Sequence, residues 1–371
     1  MKILVVYASA GAGHRKAAEA VYNYLKEHYK GLDLTIIDAL KKTNLFFSSS
    51  YNWGYNLLIN RAIFIWRLFF WLTDFRYLRP ITRRIATFVN WVNTRKFLKF
   101  LIQENPDFII STHFLPSEII CLLKNRQKIK SKLITVITDF GVHPYWISKG
   151  TDIYVVASGL TKERLIREGI AQDAIKVFGI PVEAKFSRKL DKTELCKKLD
   201  LDENKFTVML MTGSFGIGPL EEITEALHKE AQVLVVCAKN KKVYEKLKNK
   251  NLSNVRVFGF IDNVEELMAV SDLIITKPGG LTISELLNME LFPLFVSRIP
   301  GQESANVEVL AKYGVGLYAE SIEEIKNIAL DLKDHPQKLQ DLKEDIRKIK
   351  KPFASREICN VVCEGSIGVT G

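Results

Sequence analysis

Three glycine-rich segments combine residues that could bind a phosphate or accept a proton. They span residues 8–16, 211–219 and 276–285, and each follows an apolar run of strand length. Glycine lets backbone amides approach an anion, and a helix that begins at such a turn adds free N–H groups at its positive end. The first segment resembles a G-x-G-x-x-G dinucleotide fingerprint, but Lys16 stands at its third glycine position. The spacing therefore indicates anion-binding turns without assigning a nucleotide class.

His14 is the side chain of the first segment that could accept a proton from a substrate. It is predicted to lie in the first turn of a helix, where the positive end of the helix dipole disfavours an imidazolium. A neutral imidazole can act as a general base. The alternative is a histidine that only caps the helix, and the residues by themselves leave both interpretations open.

The third segment is the strongest candidate for a phosphate site, because Lys277 and the start of a helix meet there. A diphosphate would accept hydrogen bonds from the lysine and from the helix amides. Glu285, one turn into that helix, could accept hydrogen bonds from the two ribose hydroxyls. Downstream, Gln302 and Glu303 offer the amide and carboxylate groups that bind sugar hydroxyls. The second segment fits a phosphate loop and an ordinary loop equally well.

Ten apolar runs alternate with amphipathic stretches and predict the elements that position these segments. The predicted strands are Lys2–Ala8, Leu34–Ile37, Phe108–Ser111, Leu133–Ile137, Ile153–Val156, Phe206–Met211, Val233–Cys237, Val255–Val257, Leu273–Ile275 and Leu294–Val296. Strands that are apolar throughout indicate parallel sheets covered by helices on both faces. We therefore predict an α/β protein with two doubly wound, Rossmann-like domains facing a central cleft. Such sheets bind ligands at the carboxyl ends of their strands.

The predicted domains are residues 1–182, residues 183–345 and a C-terminal helix and tail over 346–371. The boundary follows the Gly- and Pro-punctuated stretch 179–182. An insert over residues 45–100 separates the second and third strands of the first domain. Helices are expected from about residue 338 to 362, with Pro352 as a break.

Positive charge is concentrated in the first half of the 371-residue chain, whose net charge is +11. Residues 1–185 hold 27 Lys and Arg against 14 Asp and Glu, a net of +13, and the remainder holds 26 against 28, a net of −2. The insert holds nine basic residues, one acidic residue (Asp74) and four of the five tryptophans. This pattern indicates an anionic partner, either a membrane surface or a nucleic acid. The alternative is a helical subdomain that packs its own aromatic residues.

The remaining sequence signals favour a reduced, cytoplasmic environment without a membrane-spanning segment. The five cysteines are odd in number and lack C-x-x-C spacing. The apolar stretch 62–72 contains Arg67 and is shorter than the ~20 residues of a membrane helix. The apolar N-terminus is more typical of a buried strand than of a signal peptide. The triplet 200–202, Asp-Leu-Asp, precedes a strand and is interpreted as a solvated turn rather than a metal site.

Five motifs, taken in order, together resemble one enzyme family. They are Gly11 to Arg15, Thr138-Asp139-Phe140 with His143 and Trp146, Gly179 to Val182, Lys277 to Thr282, and Pro300 to Glu303 with Asn306. They look like the diacylglycerol glycosyltransferases, which include the plastid monogalactosyldiacylglycerol synthases and the bacterial processive diacylglycerol glucosyltransferases. The family is related to the enzyme that adds N-acetylglucosamine to the peptidoglycan lipid intermediate. The resemblance spans most of the chain.

The resemblance implies an inverting glycosyltransferase that moves a hexose from a UDP-sugar to membrane diacylglycerol. Glucose is the favoured hexose and galactose the alternative. The resemblance assigns His14 as the catalytic base, Asp139 and His143 to an acceptor-side motif, Glu285 to the ribose, and Gln302 and Glu303 to the hexose. No cofactor or essential metal is expected, because Lys277 and helix amides could stabilise the leaving diphosphate.

The predicted site residues fall into three sets. The catalytic residues are His14 and Asp139. The donor-binding residues are Gly213, Ser214, Phe260, Ile261, Lys277, Gly279, Gly280, Leu281, Thr282, Glu285, Gln302, Glu303 and Asn306. The residues toward the acceptor and the membrane are Gly11, Gly13, Trp53, Trp66, Arg67, Trp71, His143 and Trp146.

The predicted location is the inner face of the cell membrane, where the basic insert would contact anionic lipids and no nucleic acid would bind. Three other functions remain open from the sequence. A UDP-sugar epimerase could use the same fold, although that reaction needs no lipid-docking insert. A catalytically silent nucleotide-sugar sensor at the membrane fits every motif. A nucleic-acid binder fits the charge, but the aromatic and basic residues recur at helical spacing, whereas stacking platforms lie on sheets or in grooves.

Overall fold

Twelve parallel strands form two six-stranded sheets in the part of the chain that the structure describes. The computed structural model describes residues 1–9, 11–44, 47, 78–296 and 301–363. The predicted site residues Trp53, Trp66, Arg67 and Trp71, with most of the N-terminal half of the insert, lie outside these ranges. The first sheet has the order β2-β1-β3-β4-β5-β6 and the second β12-β11-β10-β7-β8-β9.

The strands of the first sheet are β1 (Lys2–Tyr7), β2 (Asp33–Asp38), β3 (Phe108–Ser111), β4 (Lys132–Val136), β5 (Ile153–Val155) and β6 (Ile175–Lys176). Those of the second are β7 (Thr207–Met211), β8 (Gln232–Val236), β9 (Val255–Phe258), β10 (Leu273–Thr276), β11 (Phe292–Phe295) and β12 (Leu317–Tyr318). The two Rossmann-like parallel sheets predicted from the apolar runs are confirmed. The sequence pattern missed β6 and β12, because two-residue strands at a sheet edge carry no apolar run.

The described helices in the first part of the chain are α1 (Ala12–His28), α2 (Arg79–Asn93), α3 (Arg95–Glu104), α4 (Phe114–Asn125) and α5 (Gly159–Arg167). The later ones are α6 (Lys192–Leu199), α7 (Leu220–Leu227), α8 (Lys241–Asn249), α9 (Val264–Val270), α10 (Gly280–Asn288), α11 (Gln302–Ala311), α12 (Ile322–Asp334), α13 (Pro336–Ile349) and α14 (Ala354–Cys363). None of these helices has the length and hydropathy that a membrane crossing requires.

Contacts divide the described chain into two units. Residues 1–183, 301–305 and 353–363 form the first, and residues 184–296 and 306–352 form the second. The C-terminal helix α14 therefore packs with the first unit, where it lies against α1 and where Tyr29 donates a hydrogen bond to Asn360. Ile358, Cys359 and Val362 of α14 are buried in the same apolar cluster as strands β1, β3 and β4.

The strands are apolar on both faces because helices cover both sides of each sheet. Ile3, Val5 and Val6 of β1 and Leu273 and Ile275 of β10 have no solvent exposure. Burial of this kind contributes about 25 cal/mol per Å² of apolar surface. It also fixes the register, because a shift by one residue would move polar flanking groups into the core.

Each sheet has one point at which the order of its strands reverses. In the first sheet this point lies between β1 and β3, and in the second between β7 and β10. The loops that leave these strands diverge to opposite faces and leave a crevice where ligands bind in open α/β sheets. The topology therefore predicts ligand binding beside residues 8–14 and 112–113 in the first unit, and beside residues 212–219 and 277–280 in the second.

Candidate active site

His14 lies at the reversal point of the first sheet, in the first turn of α1. Gly11 is the N-cap of this helix, and its φ of 110° is a conformation that only glycine adopts without strain. Strand β3 aligns Val6 with Ser111, and the amide of Thr112 continues the ladder by donating to the carbonyl of Val6. This register places the residue after β3 beside the first turn of α1.

The hydrogen bonds of the His14 ring determine which nitrogen carries its proton. Nδ1 lies 3.0 Å from the carbonyl oxygen of Thr112 and 2.8 Å from Oγ1 of Thr138. A carbonyl oxygen can only accept, so Nδ1 must be the protonated nitrogen and must donate. In a neutral imidazole the lone pair then lies on Nε2. The site presents a histidine whose Nε2 can act as a base.

Burial lowers the pKa of His14 to about 4, and the hydrogen bond to the Thr112 carbonyl opposes part of this shift. This direction of shift agrees with the neutral imidazole that the sequence predicts. Its largest cause is the loss of hydration around the ring rather than the helix dipole on which the sequence argument relied. His14 is therefore a proton acceptor throughout the neutral pH range.

Aromatic rings surround His14. The ring of His113 meets it edge to face at a centroid distance of 4.5 Å, and the ring of Trp146 lies at 6.1 Å. His113 and Trp146 are 1% and 3% exposed, and Phe114 stacks on His113 at 4.2 Å. Trp146 thus forms part of the wall behind His14, and contact of its ring with an acceptor stays a prediction.

Sequence reasoning did not single out Thr112 or His113. The signal available was their position directly after the predicted strand over residues 108–111, next to the strand that precedes His14. The Nδ1 atom of His113 accepts a hydrogen bond from the amide of Leu115 and so caps α4. Its pKa is lowered, first by burial and then by the neighbouring His14. A second neutral imidazole therefore borders the first.

Asp139 is held by Gln302 within the first unit. The Nε2 atom of Gln302 donates to both carboxylate oxygens of Asp139 at 2.9 Å, and Asp139 is 3% exposed. The first turn of α11 belongs to this unit, and Ala305 approaches Gly141 so closely that a side chain at Gly141 would collide with it. The sequence analysis assigns Gln302 to the hexose, and Asp139 to the catalytic residues and the acceptor-side motif. The structure brings the two side chains together, and both roles stay predictions.

His143 caps a short 3-10 helix, Pro144–Trp146, by accepting a hydrogen bond from the amide of Tyr145 at 3.3 Å. Its ring also meets the Tyr145 ring at 4.9 Å. Gly13 lies in the first turn of α1 beside His14, and Glu303 in the first turn of α11 beside Gln302. The ligand roles assigned to these residues stay predictions.

The loop after β7 lies at the reversal point of the second sheet. Gly213 has a φ of 85°, and a side chain there would meet no protein atom, whereas Gly216 is fixed by the close carbonyl oxygen of Cys237. Ser214 follows Gly213 in the same loop. The hydroxyl of Thr212 is buried and has no hydrogen-bond partner among the described residues. The open space at Gly213 would let a phosphate approach the backbone amides of this loop.

The second half of this crevice is the loop after β10 and the start of α10. Lys277 is half-buried at the end of β10, and Gly279 is the N-cap of α10, with open space where a side chain would stand. The free amides of the first helical turn belong to Gly280, Leu281 and Thr282. Glu285 is half-buried one turn further along. The structure therefore gathers these predicted donor-binding residues at one helix N-terminus.

Asn306, Phe260 and Ile261 also belong to the second unit. Asn306 has no solvent exposure, and its side-chain amide donates to the carbonyl of Pro278 at 3.0 Å. It supports the loop from behind, and contact with the sugar stays a prediction. Phe260 and Ile261 follow β9, and Phe260 is 63% exposed.

Comparisons with known families and proteins match both units of the chain. Residues 14–182 match the family model described as monogalactosyldiacylglycerol (MGDG) synthase, and residues 207–358 match the glycosyltransferase family 28 C-terminal domain. A processive diacylglycerol beta-glucosyltransferase of Staphylococcus saprophyticus is 30% identical over 96% of this chain and 91% of its own length. The chain belongs to the diacylglycerol glycosyltransferase family. A Bacillus pumilus enzyme of the same description is 28% identical over 100% of this chain and 96% of its own.

Solved structures support the fold of this family member. The MurG structure of Acinetobacter baumannii has a TM-score of 0.61 at 14% identity and covers 98% of this chain and 99% of its own. The S. aureus MnaA–UDP structure has a TM-score of 0.65 at 15% identity and covers 100% of this chain and 98% of its own. At these identities the likeness is one of fold. The expected fold of this glycosyltransferase family is thereby confirmed.

Proposed function

We propose that this glycosyltransferase moves glucose from UDP-glucose to the free hydroxyl of diacylglycerol at the cytoplasmic face of a membrane. The glucosyltransferase relatives support glucose as the hexose, and the match to the MGDG synthase model makes galactose the second candidate. The observation that carries the proposal is the state of His14. It is a neutral histidine whose protonated Nδ1 is held by Thr112, which leaves Nε2 as the base.

The chemistry requires a base for the attacking hydroxyl and groups that stabilise the negative charge on the leaving diphosphate. An alcohol is a weak nucleophile, so Nε2 of His14 takes its proton as the oxygen attacks the anomeric carbon. The bond from that carbon to the diphosphate oxygen breaks, and the electron pair leaves with UDP. The ammonium of Lys277 and the amides of Gly280 to Thr282 would stabilise the charge that develops there. Because these groups are all part of the chain, we expect no requirement for a metal.

Helix α2 provides the surface that we assign to the lipid. It is anchored by its polar face, because Thr87 and Asn90 donate to Glu118 of α4 and Arg83 donates to the carbonyl of Ile147. In most surface helices of globular proteins the apolar stripe faces the core. Here polar side chains, together with Trp91, make the contact with the protein.

The apolar face of α2 is correspondingly left exposed. Ile81, Ile85 and Phe88 are 58%, 60% and 64% exposed, and Val89 and Val92 continue the stripe. Arg84 and Arg95 are exposed beside it. Apolar side chains flanked by basic ones are the means by which helices bind the interface of an anionic membrane, and each basic residue contributes about 1 kcal/mol near such a surface. We therefore propose that α2 lies on the membrane that contains the diacylglycerol.

The decisive experiment supplies the purified protein with diacylglycerol vesicles and labelled UDP-glucose or UDP-galactose in separate reactions. Chromatography of the extracted lipids should show label on diacylglycerol with UDP-glucose at a rate at least about tenfold above that with UDP-galactose. A reversal of this order would replace glucose by galactose. Label confined to the aqueous phase as an altered UDP-sugar would indicate an epimerase instead. UDP-sugar binding without any turnover would indicate a sensor.

A further inference from the structure

Thr138 lies where it can act on the proposed base without touching a substrate. It follows β4 by two residues, is 4% exposed, and places its hydroxyl oxygen 2.8 Å from Nδ1 of His14. The carbonyl of Thr112 lies 3.0 Å from the same nitrogen. Two oxygen atoms from two neighbouring strand ends thus face one N–H group.

The direction of these hydrogen bonds follows from the carbonyl. If Thr138 donated to an unprotonated Nδ1, the lone pairs of that nitrogen and of the Thr112 oxygen would face each other at 3.0 Å, which is repulsive. Nδ1 is therefore protonated and shares its proton between the two oxygens. Both acceptors are uncharged, in contrast to the carboxylate that orients the histidine of a Ser-His-Asp triad.

The hydrogen bonds from Nδ1 to these acceptors matter more once the ring becomes charged during the reaction. Once Nε2 has taken a proton, the ring is an imidazolium flanked by the rings of His113 and Trp146, which leave it only partly exposed to water. A buried cation is costly unless its N–H groups are hydrogen-bonded. In the described part of the chain, the hydrogen-bond partners of this ring are Thr112 and Thr138. Nearby Asp139 is bonded by Gln302.

We propose that Thr138 is a positioning residue for His14. Its hydroxyl oxygen is the second acceptor of the Nδ1 proton, keeps the ring in the orientation and tautomer that expose the Nε2 lone pair, and stabilises the imidazolium formed as the acceptor hydroxyl is deprotonated. This inference rests on the proposed function of His14 as the base.

The test compares Thr138→Ala with Thr138→Ser, which differ by the single hydroxyl. Loss of a hydrogen bond to a charged group should lower kcat for hexose transfer by about 10- to 100-fold in Thr138→Ala. The KM for the UDP-hexose should stay within about twofold, because the donor is bound elsewhere in the proposal. Thr138→Ser should recover kcat to within about threefold of the wild type.

A matched control is Thr135→Val, which removes a buried hydroxyl of β4 that bonds to Ser117 and does not touch His14. It should leave kcat within about threefold. The inference is overturned if Thr138→Ala keeps the wild-type kcat, or if Thr138→Ser is as slow as Thr138→Ala. Failure of the proposed function is a different result, in which the wild type itself transfers no hexose or His14→Ala remains fully active.

Discussion

His14 and Thr112 are joined by two reciprocal hydrogen bonds. The ring Nδ1 of His14 donates to the backbone carbonyl of Thr112, and the hydroxyl of Thr112 donates back to the backbone carbonyl of His14 at 2.8 Å. The pair links the first turn of α1 to the residue after β3, so His14 is fixed relative to the end of that strand. Fixed side chains of this kind make effective catalytic groups, because little reorganisation is needed during the reaction.

The first prediction concerns the base itself. Replacing His14 by Ala or by the near-isosteric Gln should lower kcat for hexose transfer by about 10²- to 10⁴-fold, the usual contribution of general base catalysis. The Kd for UDP, measured by calorimetry, should stay within about twofold of the wild type. Full activity in either variant would remove the role that we assign to His14.

The second prediction concerns pH. Burial lowers the pKa of His14 to about 4, so the base should remain deprotonated and kcat/KM should keep more than half its value down to about pH 5. Below about pH 4 the rate should fall tenfold per pH unit. An acid limb centred near pH 6.5, where an exposed histidine titrates, would contradict this.

The same pKa has a consequence for stability. Between pH 6.5 and about 4 the unfolded chain binds a proton at His14 that the folded protein does not, so the free energy of unfolding should fall as the pH falls through this window. The buried His113 acts in the same direction. Denaturant titrations at several pH values should show a weaker acid dependence in His14→Gln than in the wild type.

The third prediction concerns the exposed face of α2. The double variant Ile85→Asp, Phe88→Asp should bind anionic vesicles at least about tenfold more weakly in a sedimentation assay. The variant replaces two apolar contacts by charges that an anionic surface repels. Both residues are exposed, so the thermal unfolding midpoint should change little. Ile166→Asp, an exposed apolar residue of α5, is the matched control and should bind vesicles like the wild type. Equal losses in both variants would exclude a specific role for α2.

The fourth prediction concerns the second unit. Lys277→Ala should raise the Kd for UDP by about tenfold or more, because it removes a charge-assisted hydrogen bond to the diphosphate. Lys229→Ala is the matched control, since this exposed lysine precedes β8 and so lies at the amino ends of the parallel strands, whereas Lys277 follows the carboxyl end of β10. It should leave the Kd unchanged. An unaltered Kd in Lys277→Ala would remove Lys277 from the diphosphate site.

Much of the site could be predicted from the sequence because its parts are local. Turn glycines, a strand before them and a helix after them occupy about ten consecutive residues, so the loops containing Gly213 and Lys277 are readable without coordinates. Contacts between residues that are distant in the sequence cannot be predicted in this way. Thr112 and Thr138 lie 98 and 124 positions after His14 and meet it only because β1, β3 and β4 are neighbours in the sheet.

The sequence by itself determined the two parallel sheets, the family, the candidate base and the glycine-framed loops, since buried strands and tight turns impose residue types that can be recognised one segment at a time. The tertiary structure decided the rest: which nitrogen of His14 is protonated, the burial of Trp146 behind it, the contact of Gln302 with Asp139, and the packing of α14 against α1. These depend on the order of the strands and on side chains far apart in the chain, and no local pattern of residues specifies such an arrangement.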